Sequence, residues 1–175
     1  MADYRVATGE RAPTKAELLR ALHESRDEVL GLVRAMPPER LEEGRYENGW
    51  NGRQILAHIA SIEWTYPRLI EIARTPPTTT EEPPTRAPKG SNEGYNERQV
   101  AKREHMTVTE LLAEFERNRA TTISALEAAD EALLARPIRS AFGVVGPLAT
   151  VFHQIAVAHV LQHAYDIAGD RRSHG

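Results

Sequence analysis

Hydrophobic residues recur at three- and four-residue steps along most of the chain, which is the pattern of amphipathic helices, and no run alternates as a half-buried strand does. The first such segment begins after Thr14, whose side chain with Glu17 predicts a capping box, and ends near Ala35 before Pro37 and Pro38. Its apolar stripe comprises Leu18, Leu22, Val29 and Val33. The pattern predicts one long helix with a single buried face.

A second helix is predicted from Asn51, which with Gln54 resembles a capping box, to near Arg74. Its stripe comprises Ile55, Ile59, Ile62, Tyr66 and Leu69. Pro67 lies inside this segment and predicts a kink or a break there. We expect Trp50, which directly precedes the cap, to pack at the start of the helix.

Two more long helices follow in the second half of the chain. Thr107 and Glu110 form a third capping box, and Gly146 with Pro147 predicts the start of a fourth helix that ends at Gly169. The stripe of the third helix comprises Leu111, Leu112, Phe115, Ile123 and Leu126. A short polar helix is also expected just before the third.

Residues 75–96 separate the second and third helices and contain five prolines, which predicts a long surface loop. A loop of this length serves either as a lid or binding segment or as a plain crossover linker, and the sequence leaves both open. Four amphipathic helices with one long connection predict an all-α fold, an antiparallel four-helix bundle with a crossover loop between its second and third helices. We expect residues 1–175 to form one domain, with flexible ends at 1–13 and 170–175.

Composition narrows the class of protein. The chain has 175 residues, a formal net charge of −3 and no cysteine. The chain lacks the net positive charge that is typical of nucleic-acid-binding proteins. Its most apolar stretch is too interrupted by polar residues to cross a membrane. The first residues lack the features of a secretory or transit signal, so we expect the protein to reside in the cytoplasm. Without cysteine, disulfides, thiolate nucleophiles and thiolate metal ligands are excluded.

Three of the seven histidines lie on predicted buried stripes. His159 and His163 are four residues apart on the fourth helix and therefore project from one side of it. His58 lies among the isoleucines of the second helix. His153 is six residues before His159, which turns it away from that face, and it is set aside. Buried imidazoles need partners for their ring nitrogens, so these positions call for an explanation.

Two interpretations of His58, His159 and His163 are open. In the first, facing helices of a bundle hold a metal ion, and the three imidazoles leave coordination positions for water or substrate. Nitrogen and oxygen ligands suit a divalent ion such as zinc, nickel or iron. In the second, each histidine is a core residue whose nitrogens are satisfied by backbone carbonyls.

Three segments carry a resemblance to a known family, and they span most of the chain. They are ENGWNGRQILAHIASIEW, YNERQVAKREHMTVTELLAEFERNR and HVLQHAYDI. Together they resemble the DinB-like family of metal-binding four-helix bundles, a superfamily that includes thiol-dependent isomerases and transferases. The resemblance implies that His58, His159 and His163 are the metal ligands and that the protein is a homodimer.

The resemblance also implies a function. We expect a divalent-metal enzyme, similar to thiol-dependent S-transferases, that activates water or a small thiol such as mycothiol or bacillithiol toward a small-molecule substrate. A hydrolase fits the same site. The alternative is a noncatalytic stress-response bundle that binds a metal or another ligand. The sequence assigns no catalytic residue beyond the metal ligands.

Overall fold

The protein is described by a computed structural model that covers residues 11–44, 46–75 and 92–169. Of the predicted loop at 75–96, residues 76–91 lie outside the described residues, so its interpretation as a lid or a linker is not addressed by the structure. Residues 92–96 are helical, and the predicted loop is therefore too long at its C-terminal end. The expected flexible ends also lie outside them, apart from 11–13.

The chain forms helices throughout most of its described length. In chain order they are α1 (Lys15–Ala35), α2 (Pro38–Glu42), α3 (Gly52–Ile62), α4 (Pro67–Arg74), α5 (Asn92–Ala101), α6 (Val108–Glu127), α7 (Glu131–Leu134), α8 (Leu148–His153) and α9 (His159–Ala168). A 3₁₀ turn, Glu63–Thr65, joins α3 to α4, and a π-helical turn, Gln154–Ala158, joins α8 to α9. Within the described parts of the chain, no helix is both long and apolar enough to cross a membrane.

The three predicted capping boxes are present. The side chain of Thr14 accepts from the backbone N–H of Glu17, and the corresponding pairs start α3 at Asn51 and α6 at Thr107. The predicted second helix is broken next to Pro67, where α4 begins, as proline in a helix interior requires. Gly169 ends α9 in the left-handed conformation with φ of 74°. Local sequence signals thus set the ends of the long helices.

The long helices pack as an all-α four-helix bundle. Helix α1 packs against α6 and α9, and α3 packs against the same two helices from the other side. The predicted apolar stripes supply the core. Its fully buried side chains include Leu18, Leu22, Ile55, Ile59, Tyr66, Leu111, Phe115 and Leu126. This arrangement places α3 beside α9, the two helices that carry the candidate histidines.

The structure also contains short elements that the periodicity does not predict. Strand β1 (Pro137–Arg139) pairs antiparallel with β2 (Val145–Pro147), and Phe142 lies 46% exposed in the connection between them. The sequence pattern indicates no strand, and this expectation is wrong for the hairpin. Each strand has three residues, which is too short for a period of two to be read. Helix α2 lies between the first and second predicted helices, where the periodicity predicts no element.

Two glycines make a matched test of this packing. A Cβ built on Gly31, which is exposed within α1, meets nothing within 4 Å, whereas one on Gly52 meets the Leu41 backbone at 3.2 Å and Ile167 at 3.1 Å. We expect Gly31→Ala to raise the free energy of unfolding by about 0.5–1 kcal/mol through helix propensity. Gly52→Ala should lower it, because backbone atoms cannot yield as a side chain can. Urea denaturation of both variants measures the difference, and equal stabilisation would contradict the close packing of α2 on α3.

Candidate metal centre

The structure brings His58, His159 and His163 together in the bundle. One ring nitrogen from each lies within 4.8 Å of those of the other two. The Nε2 atoms of His159 and His163 are 2.9 Å apart. The His58 ring meets the His159 and His163 rings edge-on, with centroid distances of 5.9 and 5.1 Å.

Helix geometry explains the convergence. His159 and His163 are one turn apart on α9, so their side chains leave the helix on the same side. Helix α9 packs against α3, and His58 lies on α3 between the buried residues Ile55 and Ile59. The side-by-side packing of two amphipathic helices therefore directs all three imidazoles to one point.

Burial keeps these rings neutral. His58 and His163 are 4% and 5% exposed. Burial, together with the neighbouring His163 and His159, lowers the pKa of His58 from 6.5 to about 3. Burial lowers the pKa of His163 to about 4. Neutral imidazole is the form that binds metal ions, so both rings are ready for ligation near pH 7 without losing a proton.

The two histidines of α9 lie close enough to share one ion. Two imidazole nitrogens that each lie about 2.0–2.1 Å from one metal are at most about 4.2 Å apart. The 2.9 Å separation of His159 and His163 satisfies this limit. The Nδ1 atom of His58 is buried and has no hydrogen-bond partner, which is costly for a polar atom unless another ligand satisfies it. The carbonyl partner that the core interpretation requires is therefore missing at Nδ1 of His58.

The site has one open side. His159 is only partly buried, unlike His58 and His163. Trp50 packs on the His58 ring with centroids 5.4 Å apart, which agrees with its expected place at the start of the helix. Phe142, in the hairpin, lies near the His159 ring at 6.3 Å. Two aromatic side chains therefore flank the cluster.

A small cavity lies between α3 and α5, and none of the three histidines lines it. It has a volume of about 370 Å³ and is lined in part by Trp50 and by Ala57, the neighbour of His58 in sequence. Arg53 and Gln54 also line it. Cavities that hold small molecules typically begin at about 300 Å³.

Two other polar side chains of this helical segment have different surroundings. His153 is exposed, as its angular position predicts. Asp166, one turn beyond His163 in sequence, accepts a hydrogen bond from Gln162 with a distance of 3.1 Å.

Sequence reasoning missed a buried ion pair behind the site. The side chains of Arg119 on α6 and Glu63, which follows α3, are both 0% exposed, and Arg119 Nε lies 2.7 Å from Glu63 Oε1. Burial raises the pKa of Glu63, and the Arg119 guanidinium opposes this rise. A signal was present, because Arg119 lies four residues after Phe115 and therefore on the buried stripe.

Four helices packed around an inward cluster of three histidines define a bundle that can hold a metal ion. A sequence profile of the DinB superfamily matches residues 21–167, and the chain belongs to this superfamily. The resemblance seen in the sequence is confirmed. No curated protein sequence matches the chain.

Two solved structures share the fold. Mycothiol-dependent maleylpyruvate isomerase aligns with a TM-score of 0.67 and 18% identity, over 89% of this chain and 61% of the isomerase. The chain thus spans about three fifths of that protein's length. YfiT from Bacillus subtilis, described as a probable metal-dependent hydrolase with an unusual four-helix bundle topology, aligns with a TM-score of 0.65 and 19% identity. That alignment covers 94% of this chain and 92% of YfiT.

The lowered histidine pKa values predict acid sensitivity of the metal-free protein. Unfolded histidines titrate near 6.5, whereas folded His58 and His163 titrate at about 3 and 4, so the unfolded state binds more protons between these values. Stability should be full above pH 6.5 and fall as the pH drops, by up to about 1.4 kcal/mol per pH unit for each residue. Urea denaturation with a chelator present, between pH 7.5 and 4.5, measures this slope.

Matched variants identify the residues responsible for the slope. His58→Ala and His163→Ala should each flatten it, whereas His153→Ala should leave it unchanged because that ring is exposed. A slope that is the same in all four proteins would contradict the assignment to the buried cluster.

Proposed function

We propose that the protein is a divalent-metal-dependent enzyme in which His58, His159 and His163 hold the ion, and that it activates a small thiol or water toward an electrophilic small molecule. The observation that carries this proposal is the convergence of three imidazole nitrogens within 4.8 Å, at a site with one open side. The fold supports it, since bundles build metal sites from side chains on facing helices.

The ligand set favours an anionic partner at the open side. A bound divalent cation lowers the pKa of a thiol or water and stabilises the resulting anion near neutral pH. Neutral histidines compensate none of the cation's charge, so the half-buried site attracts an anion more strongly than a carboxylate-rich site does. Trp50 and Phe142 border the cluster, Trp50 at the His58 ring and Phe142 at the His159 ring.

Any thiol must come from outside the protein, because the chain has no cysteine. A low-molecular-weight thiol such as mycothiol or bacillithiol is the proposed cofactor, in line with the mycothiol dependence named for one structural neighbour. The hydrolase description of the other neighbour supports water as the alternative nucleophile. Nitrogen ligands suit zinc or nickel, and also iron. A homodimer and a cytoplasmic location remain predictions.

Metal binding is the first test. Tag-free protein, stripped with a chelator and titrated with Zn²⁺, Ni²⁺ or Co²⁺, should bind about one ion per chain, as a three-histidine site predicts. His58→Ala, His159→Ala and His163→Ala should each weaken binding by at least about tenfold, since each removes a direct ligand. Isothermal titration calorimetry and elemental analysis measure affinity and stoichiometry.

His153→Ala is the control for this experiment, because it removes an exposed histidine from the same helical segment. Its affinity should equal that of the wild type. Equal loss in His153→Ala and His163→Ala, or no binding by the wild type, would refute the site.

Turnover separates enzyme from binding protein. The Zn²⁺- or Ni²⁺-loaded protein should conjugate a thiol from a panel to an electrophile, or hydrolyse an ester or amide, at a rate that His163→Ala abolishes and His153→Ala retains. Thiol-dependent turnover supports the transferase, and thiol-independent hydrolysis supports the hydrolase. Tight metal binding without turnover on any substrate would favour the noncatalytic bundle.

A further inference from the structure

Arg119 connects every long helical segment of the bundle through one buried side chain. Its Nη1 donates to Ser25 Oγ at 2.9 Å and to the Leu22 carbonyl at 3.3 Å, both on α1. Its Nη2 donates to Glu63 Oε2 at 3.0 Å and to the Ala156 carbonyl at 2.8 Å. Its Nε lies 2.7 Å from Glu63 Oε1 as an ion-pair contact without hydrogen-bond geometry, so the hydrogen bonds of the guanidinium are made by its two terminal nitrogens.

The hydrogen bond from Arg119 to Ala156 is made within the π-helical turn that precedes His159 and His163. Ala156 lies in Gln154–Ala158, and the backbone N–H of His159 bonds the carbonyl of Gln154, five residues earlier. Such turns displace carbonyls from the regular ladder and need outside partners. Arg119 supplies a charged donor to the carbonyl of Ala156, which lies within this turn.

The π turn controls where the histidines of α9 point. A π turn contains about one residue more than an α turn, and each residue of an α-helix rotates the chain by about 100°. Reversion of Gln154–Ala158 to regular α-helix would therefore turn His159 and His163 substantially away from His58. Glu63, at the other end of the ion pair, follows α3, the helix that carries His58.

We propose that Arg119 and Glu63 are positioning residues that hold the π turn on α6 and so aim His159 and His163 at His58. The arrangement of the rings is then set by a buried contact one turn before His159. The expected effect of Arg119 on metal binding rests on the proposed function. Its expected effect on the arrangement of the histidine rings does not.

The test needs a variant that removes the contact without leaving a buried charge. The double variant Glu63→Leu/Arg119→Met replaces the ion pair by apolar side chains, an exchange that often preserves stability. We expect it to fold with an unfolding midpoint near that of the wild type and to bind Co²⁺ about 10- to 100-fold more weakly, as for other supporting residues of metal sites. Its Co²⁺ absorption spectrum should also change.

Two control variants leave the contact to Ala156 in place. Ser25→Ala removes only a bond from Arg119 to α1, and Tyr66→Phe removes a neighbouring buried hydroxyl that has no hydrogen-bond partner. Both should bind Co²⁺ with wild-type affinity and spectrum. A folded double variant that matches the wild type in affinity and spectrum would overturn the proposal.

Histidine NMR of the metal-free protein keeps the positioning role separate from metal binding. The Cε1–Hε1 signals of His159 and His163 should shift in the double variant and stay in place in Ser25→Ala. If the wild type binds no metal, these shifts still decide whether Arg119 sets the arrangement of the rings. If the double variant fails to fold, Arg119→Lys, which keeps the charge but lacks the second nitrogen arm, is judged by the same criteria.

Discussion

The buried guanidinium of Arg119 is the interaction on which the arrangement of the bundle depends. A charged group with no exposure to solvent is tolerated only when nearly all of its donors are bonded. Its partners come from α1, from the turn after α3 and from the π turn before α9, while Arg119 itself belongs to α6. Displacement of any one of these segments would leave a buried donor or acceptor unpaired. The ion pair therefore ties the relative positions of all four to one another.

The histidine cluster differs from this network in its electrostatics. The Arg119–Glu63 pair balances its own charge, whereas His58 and His163 are neutral through burial. Their neutrality lets the cluster exist in a low-dielectric interior before any ion binds, at the cost of the unpaired Nδ1 of His58. The bundle thus carries one polar cluster that is balanced in charge and one that has a ring nitrogen free to bind a ligand.

Features determined by neighbours in sequence were predictable. The three capping boxes, the break at Pro67 and the glycine that ends α9 each depend on residues within one turn, and the structure confirms them. The meeting of His58 with His159 and His163 was also predictable, because a period of 3.6 residues assigns each to an apolar stripe. That these apolar stripes face each other follows from the general geometry of four-helix bundles.

Features determined by distant contacts were not predictable. The β1–β2 hairpin has strands of three residues, and its pairing depends on tertiary packing of Ile138, which is fully buried. The π turn has no sequence signature of its own in this chain. Its carbonyl at Ala156 meets a donor 37 residues earlier, on another helix. Arg119 itself followed the apolar period of α6, but a single charged residue on a stripe does not reveal its partner.

The presence of a buried ion pair at Arg119 and Glu63 is better explained by the orientation it gives to neighbouring helices than by a gain in the free energy of unfolding. Apolar side chains of similar volume at Glu63 and Arg119 would bury without the desolvation cost of two charges, and such exchanges often leave a protein equally stable or more so. An apolar side chain, however, packs equally well against many rotations of a neighbouring helix. A guanidinium packs well only against rotations that place a carbonyl at hydrogen-bond distance from its N–H groups. The proposed metal site spans α3 and α9, and it needs one rotation of α9 to be favoured over the others. The buried pair provides that selection at the position along the helix where a π turn makes rotation variable.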